Sequence, residues 1–250
     1  MTEGLKLLLL FVIGTLSSII NVNAGGGSSI TLPALIFIGL ESGIANGTNR
    51  IGILIQNLFA VSSFRNQNIY KFKESLFLAI FTLPGAIIGA ILSIRINSQW
   101  FQRILAIVMI GIVLTILFTH SSSKFKQISS KKKKNWLIYP ALLGIGFYGG
   151  FIQIGVGFLL MASLFHLLKI DLIQVNMHKV FIICLYTLPA LTVFIVTGNL
   201  NWKYGCMLAS GMALGGWIGA RIAIKGGDKV IRIILAVAIL LMALKLLGLF

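Results

Sequence analysis

Residues 7–20 read LLLLFVIGTLSSII, with no charged side chain. Comparable apolar segments follow at 28–40, 43–64, 75–94 and 101–118, and again at 137–152, 158–168, 172–197, 204–221 and 230–249. Inside hydrocarbon every backbone N–H and C=O must find a partner within the chain, and a helix provides one for each. The longer segments reach across a hydrocarbon core of about 30 Å at about 1.5 Å per residue. An all-α polytopic membrane protein follows. Composition agrees: 58% of the residues are hydrophobic and 10% charged, whereas about a quarter of a soluble chain is charged. No stretch is polar enough to form a separate soluble domain.

The chain is doubled. Displaced by 130 residues against itself, it sets Gly25 and Gly27 on Gly155 and Gly157, Glu41 on Asp171, and Asn46 on Asn176. Gly89-Ala90 then falls on Gly219-Ala220, and Leu105-Ala106 on Leu235-Ala236. Each half is one structural unit. The halves are residues 1–120, a first transmembrane repeat, and 137–250, a second, joined by a basic linker over 121–136. The run 7–20 has a counterpart at 137–150, so it is read as a working segment and not as a cleaved leader, despite Val22-Asn23-Ala24 resembling a peptidase site.

Five segments per half is an odd number, so the second half enters the membrane upside down. The arrangement is a 5+5 inverted repeat. The second segment of each half is short, about 20 Å as helix, and broken by glycine. The formal charge of +16 is read as cytoplasmic loop charge and not as a nucleic-acid surface. With the N-terminus outside, the inner loops hold Arg65, Lys71, Lys73, Lys124, Lys126, Lys131 to Lys134, Lys169, Arg221, Lys225, Lys229 and Arg232. The outer ends hold only Lys6, Arg50, Arg95, Arg103, Lys203 and Lys245. Both termini are therefore expected outside a plasma (inner) membrane, with the 121–136 loop cytoplasmic.

The stretch NAGGGSSITLP, residues 23–33, interrupts an apolar run with three glycines. Broken helix at membrane depth survives only in protein or around a water-filled cavity. Gly25, Gly26 and Gly27 permit positive φ and close approach of a ligand to backbone. Helix restarting near Ser28 and Ser29 would offer free N–H groups to an anion. Gln153, Gly155 and Gly157 repeat the break in the second half, and paired breaks point to a transporter site. Gly85, Gly89, Gly215 and Gly219, at four-residue spacing, are read as packing positions.

The third segment of each half carries a polar stripe. Asn46, Asn49, Gln56 and Asn57 share one helical face, and Asn176, Lys179, Tyr186 and Thr187 match them in the second half. Lys179 lies about 10 Å into its helix and is available to pair with an anion. His178 falls on the opposite face and is read as structural. None of the five acids lies mid-span, where cation carriers and proton pumps commonly place carboxylates. Cys184 and Cys206 are read as small buried hydrophobes. No catalytic constellation, metal-ligand set or cofactor motif is present.

The stretch "NAGGGSSITLPALIFIGLESGIANGTNRIGILIQN" resembles the opening motif of the TauE/SafE family, the sulfite exporter or TSUP group. "GFYGGFIQIGVGFLLMASLFHLLKIDLIQVNMHKV" resembles its second signature, and "TGNLNWKYG" and "GGWIGARIAIKGG" also fit. The resemblance covers nearly the whole chain. It implies a multi-pass permease of two homologous halves, moving sulfur-containing anions such as sulfite, thiosulfate or sulfoacetate. Motif positions carry over at Gly25, Gly26, Gly27, Asn46, Thr48, Asn49, Gly155, Gly157, Asn176 and Lys179. Val156 stands between the second pair of glycines, implying a tighter break.

The expected function is transport of a small anion, a sulfur oxyanion or organosulfonate, by alternating access of the two halves. The expected partners are that small anionic substrate and the lipid bilayer, with no nucleic acid and with a homo-oligomer left open. A permease for a carboxylate or amino acid, or a membrane assembly protein with no solute path, is the alternative.

Overall fold

The computed structural model describes the backbone over residues 2–118 and 136–246, and side chains over 2–108 and 136–226. All regular structure among the described residues is helical. In chain order the helices are α1 (Glu3–Asn23), α2 (Ser28–Phe37), α3 (Ser42–Asn66), α4 (Phe72–Ile80), α5 (Leu83–Arg95) and α6 (Ser98–Phe118). They continue as α7 (Ile138–Phe151), α8 (Val156–Leu168), α9 (Leu172–Val196) and α10 (Trp202–Leu246). All but the last residue of the expected linker lies outside the described residues.

Two boundaries differ from expectation. The single segment foreseen over 75–94 is the pair α4 and α5, bent by 48°. Pro84, in the first turn of α5, has no N–H to give the preceding turn and crowds it sterically. The two segments foreseen over 204–221 and 230–249 are one backbone helix, α10, 45 residues long. The polar stretch Lys225 to Lys229 contains two glycines but no proline, so nothing in it ends the hydrogen-bond ladder.

Among the described residues, three helices are long and apolar enough to cross a membrane: α1, α9 and the Trp202–Gly226 part of α10. The bent pair α4–α5 makes a fourth if it is one span. Helix α3, at 25 residues, has the length to cross but is more polar, since it carries Asn46, Asn49, Arg50, Gln56 and Asn57 into the protein interior, all buried. Helix α7, foreseen as a span, is only 14 residues long, about 21 Å.

Small residues let backbones touch. Gly211, Gly215 and Gly219 of α10 lie against Phe11, Thr15 and Ile19 of α1, so these two helices run parallel. Gly85 and Gly89 of α5 rest on Leu143 and Phe147 of α7, while Gly146 and Gly150 of α7 rest on Thr82 and Ala86. The packing role expected of the glycines at four-residue spacing is what the structure shows.

Helix α3 runs parallel to α10: Asn201 N–H donates to Thr48 Oγ1, Gly52 meets Met212, and Gly216 meets the backbone of Gln56. Helix α9 opposes α3. Its C-terminal Phe194 and the following Asn199 sit on Gly47 near the start of α3. Its Lys179 reaches Asn21, which bonds Gln56 in the second half of α3. Helices α1, α3 and α10 therefore run one way, and α5, α7 and α9 the other.

Candidate functional site

Both foreseen breaks are present. Helix α1 ends at Asn23 and α2 starts at Ser28, with Gly25 at φ +92° between them. Helix α7 ends at Phe151 and α8 starts at Val156, with Gln153 at φ +67° and Gly155 at φ +70°. Glycine takes such angles without strain. Gln153 does not, and a non-glycine residue held there is a mark of a constrained site.

The two breaks meet. A Cβ added at Gly25 would fall on the backbone of Gly157 and Phe158, and one added at Gly157 would fall on Gly25. Gly27 presses against Ser17 and Asn21 of α1. Its N–H donates to Asn21 Oδ1 at 3.1 Å, and Asn21 Nδ2 donates to Gln56 Oε1 at 3.2 Å. Ser29 Oγ donates to the Gly26 carbonyl at 2.6 Å, and Ser28 is buried.

A helix that stops inside the protein leaves carbonyls without intrahelical donors. Two buried cations supply them, each from the other half of the chain. Lys179 of α9 donates to the carbonyls of Asn21 at 3.2 Å and Val22 at 2.6 Å, in the last turn of α1. It also donates to Asn176 Oδ1 at 2.7 Å. Arg50 of α3 donates from Nη1 to the carbonyl of Gly149 at 3.1 Å and from Nη2 to that of Gly150 at 2.5 Å, in the last turn of α7. Its guanidinium also stacks over Phe194, 4.7 Å from the ring centroid. Positive charge suits a helix C-terminus, where the carbonyl ends of the dipoles collect.

The remaining stripe residues are also buried. Asn46 Nδ2 donates to Ser93 Oγ and to the carbonyl of Phe151, both at 2.9 Å, adding a third donor to the end of α7. Asn57 Nδ2 bonds the Ile53 carbonyl of its own helix. Gln153 Nε2 donates to Thr187 Oγ1 at 3.3 Å. Neither amide atom of Asn49 has a partner, and Asn176 Nδ2, Gln153 Oε1, Arg50 Nε and Tyr186 Oη are likewise buried and unpaired. Buried polar atoms usually have a partner, so this cluster is unusual.

Two expectations need correction. Arg50, expected at an outer loop end, is wholly buried, because the α3 turn around it faces α7 and α9 and not solvent. Cys206 is exposed, and Cys184 is only partly buried, since both lie on helix faces turned away from the core. His178 lies apart from the site, with Nδ1 2.8 Å from Ser75 Oγ and Nε2 4.0 Å from Glu74.

Asn21 and Arg50 are the residues that sequence reasoning left out of the site; Tyr186 belongs to the polar stripe read from the sequence, with no separate role given to it. Arg50 had a signal, since it directly follows Asn49 within an otherwise uncharged run of α3.

The profile of the family described as Sulfite exporter TauE/SafE matches residues 10–246. The chain belongs to the TauE/SafE family. Its similarity to named relatives runs end to end. It is 28% identical to a "Probable membrane transporter protein" of Haemophilus influenzae, over 98% of this chain and 96% of that one. It is 28% identical to "Probable membrane transporter protein ORF9" of Sinorhizobium sp, over 96% and 91%. It is 26% identical to "Probable membrane transporter protein YfcA" of Escherichia coli, over 99% and 91%. No solved structure matches. As a TauE/SafE protein the chain is a membrane transporter.

Proposed function

We propose that this TauE/SafE protein carries a small anion, a sulfur oxyanion or organosulfonate, across the plasma membrane by alternating access between two inverted repeats. The observation that carries the reading is the contact between the two broken helices at Gly25 and Gly157, flanked by Lys179 and Arg50. Two buried cations with no carboxylate near them among the described ion pairs favour a negatively charged cargo. Discontinuous helices at a repeat interface are the usual setting of a carrier site.

The substrate would lie beside Gly25, Gly26, Gly27, Ser28 and Ser29 on one side and Gln153, Gly155 and Gly157 on the other. Asn46, Asn49, Gln56, Asn57, Asn176 and Lys179 would surround it. The inverted repeat is supported by helix direction: α1 opposes α7 and α3 opposes α9, each at corresponding places in the two halves. The parallel contacts of α1 with α10 and of α7 with α5 fit the same relation.

The test is uptake of labelled sulfite, thiosulfate and sulfoacetate into proteoliposomes, each against excess unlabelled acetate. Saturable uptake of a sulfur anion that acetate leaves intact supports the reading. Equal displacement by acetate moves the cargo to carboxylates. Uptake no faster than in empty liposomes for every anion overturns it.

A further inference from the structure

The two buried cations are not equivalent. An ammonium has three protons, and Lys179 spends them on the carbonyls of Asn21 and Val22 and on Asn176 Oδ1, with Met161 Sδ 3.6 Å away as well. A guanidinium has five N–H groups in a planar fork. Arg50 uses its two terminal nitrogens on Gly149, Gly150 and Phe151, while its Nε has no partner. A second unpaired donor lies close by. Tyr186 is wholly buried and its Oη makes no well-formed hydrogen bond, although the Gln153 side chain lies close enough to interact with it. It packs on the same residue that Arg50 grips: a Cβ at Gly149 would be 2.8 Å from that oxygen.

We infer that Arg50 and Tyr186 are the groups that bind the charged end of the transported anion, and that Lys179 is an anchor for α1. The inference deepens the function proposed above and rests on it. A buried arginine with no carboxylate partner is costly unless something supplies the opposite charge. Here carbonyl dipoles and the face of Phe194 supply part of it. An oxyanion would complete it, accepting from Arg50 Nε–H and from the Tyr186 hydroxyl. Both groups donate to an oxyanion, which has oxygen acceptors to spare. The sequence offset of 130 puts Val180 opposite Arg50, so the second half has no such fork and the charge site is one-sided.

The experiment measures anion flux and thermal unfolding together for wild type, Tyr186→Phe and Arg50→Lys, in proteoliposomes and in detergent. Tyr186→Phe deletes a hydroxyl that makes no well-formed hydrogen bond in the anion-free protein, so a packing role predicts unchanged KM and undiminished Tm. Substrate contact predicts undiminished Tm and a KM raised about tenfold, the effect of losing one hydrogen bond to a charged group. Arg50→Lys keeps a positive charge and loses the Nε–H, and its KM should rise at least as far. If Arg50→Lys does not fold, Tyr186→Phe decides alone. Saturable flux with the Tyr186→Phe KM within twofold of wild type overturns this inference and leaves anion transport standing. Absence of any anion flux in wild type overturns both.

Discussion

Gly25 and Gly157 lie backbone against backbone, one from each half of the chain, and neither position has room for a side-chain carbon. The contact joins the two broken helices directly. It holds the C-terminal ends of α1 and α7 within reach of the buried cations from α9 and α3.

Substitution at this contact should therefore be costly. Gly25 is at φ +92°, so Gly25→Ala adds left-handed backbone strain of about 1–2 kcal/mol to the overlap. Gly157→Ala carries the overlap alone, about 1–3 kcal/mol as overpacking. Thermal unfolding in detergent should rank wild type above Gly157→Ala, and Gly157→Ala above Gly25→Ala. Equal Tm values for all three would show that the breaks do not touch.

Removal of the Lys179 ammonium strands two buried carbonyls at the end of α1. Lys179→Ala should destabilise the protein by roughly 3 kcal/mol, the range found when one partner of a buried charged network is deleted. Lys179→Arg keeps donors for the same carbonyls and should recover part of that loss. A Lys179→Ala protein as stable as wild type, by denaturation or yield of folded monomer, would contradict the capping role.

The glycines of the paired helices divide by what faces them. Gly89 abuts the Phe147 carbonyl, whereas Gly144 faces open space. Gly89→Ala should lower Tm through forced separation of α5 from α7, by about 1–3 kcal/mol. Gly144→Ala, within the same α7, should leave Tm unchanged or slightly raised, since alanine favours helix over glycine by about 1 kcal/mol. Parallel unfolding measurements on the two variants check the contrast.

The proposed orientation places the end of α3 inside and the end of α5 outside. In a background with Cys184 and Cys206 replaced by alanine, Ser98→Cys should react with an impermeant maleimide in intact cells. Gln67→Cys should react only after the membrane is opened. The reverse pattern would invert the topology while leaving the inverted repeat intact.

Much of this architecture is legible in the sequence, because bilayer physics turns apolar length into helices and the offset of 130 exposes the doubling. The two breaks are legible too, since three successive glycines have little other use in an apolar run. The site's charge partners are harder to see. Arg50 looks like a loop residue when segments are counted for charge bias, and only the contact of α3 with α7 and α9 reveals it as buried. Lys179 is legible as a buried charge, but two of its partners are backbone carbonyls, which carry no signature in the sequence. Tyr186 is legible as the stripe position that matches Gln56, but the state of its hydroxyl shows only in the structure. The bend at Pro84 and the continuity of α10 turn on local backbone choices that hydropathy averages away.

The reciprocal capping also bears on how such a chain is made. Helices α1 and α7 each end on bare carbonyls until a cation arrives from the opposite half, so α1 leaves the ribosome unfinished and waits for α9, well over a hundred residues later. The first half inserted alone would hold exposed polar backbone in lipid, a natural mark for quality-control proteases. Supplied as a separate polypeptide, the second half would bring the missing lysine and receive an arginine in return. Biogenesis of this protein is in that sense a mutual rescue between two half-molecules.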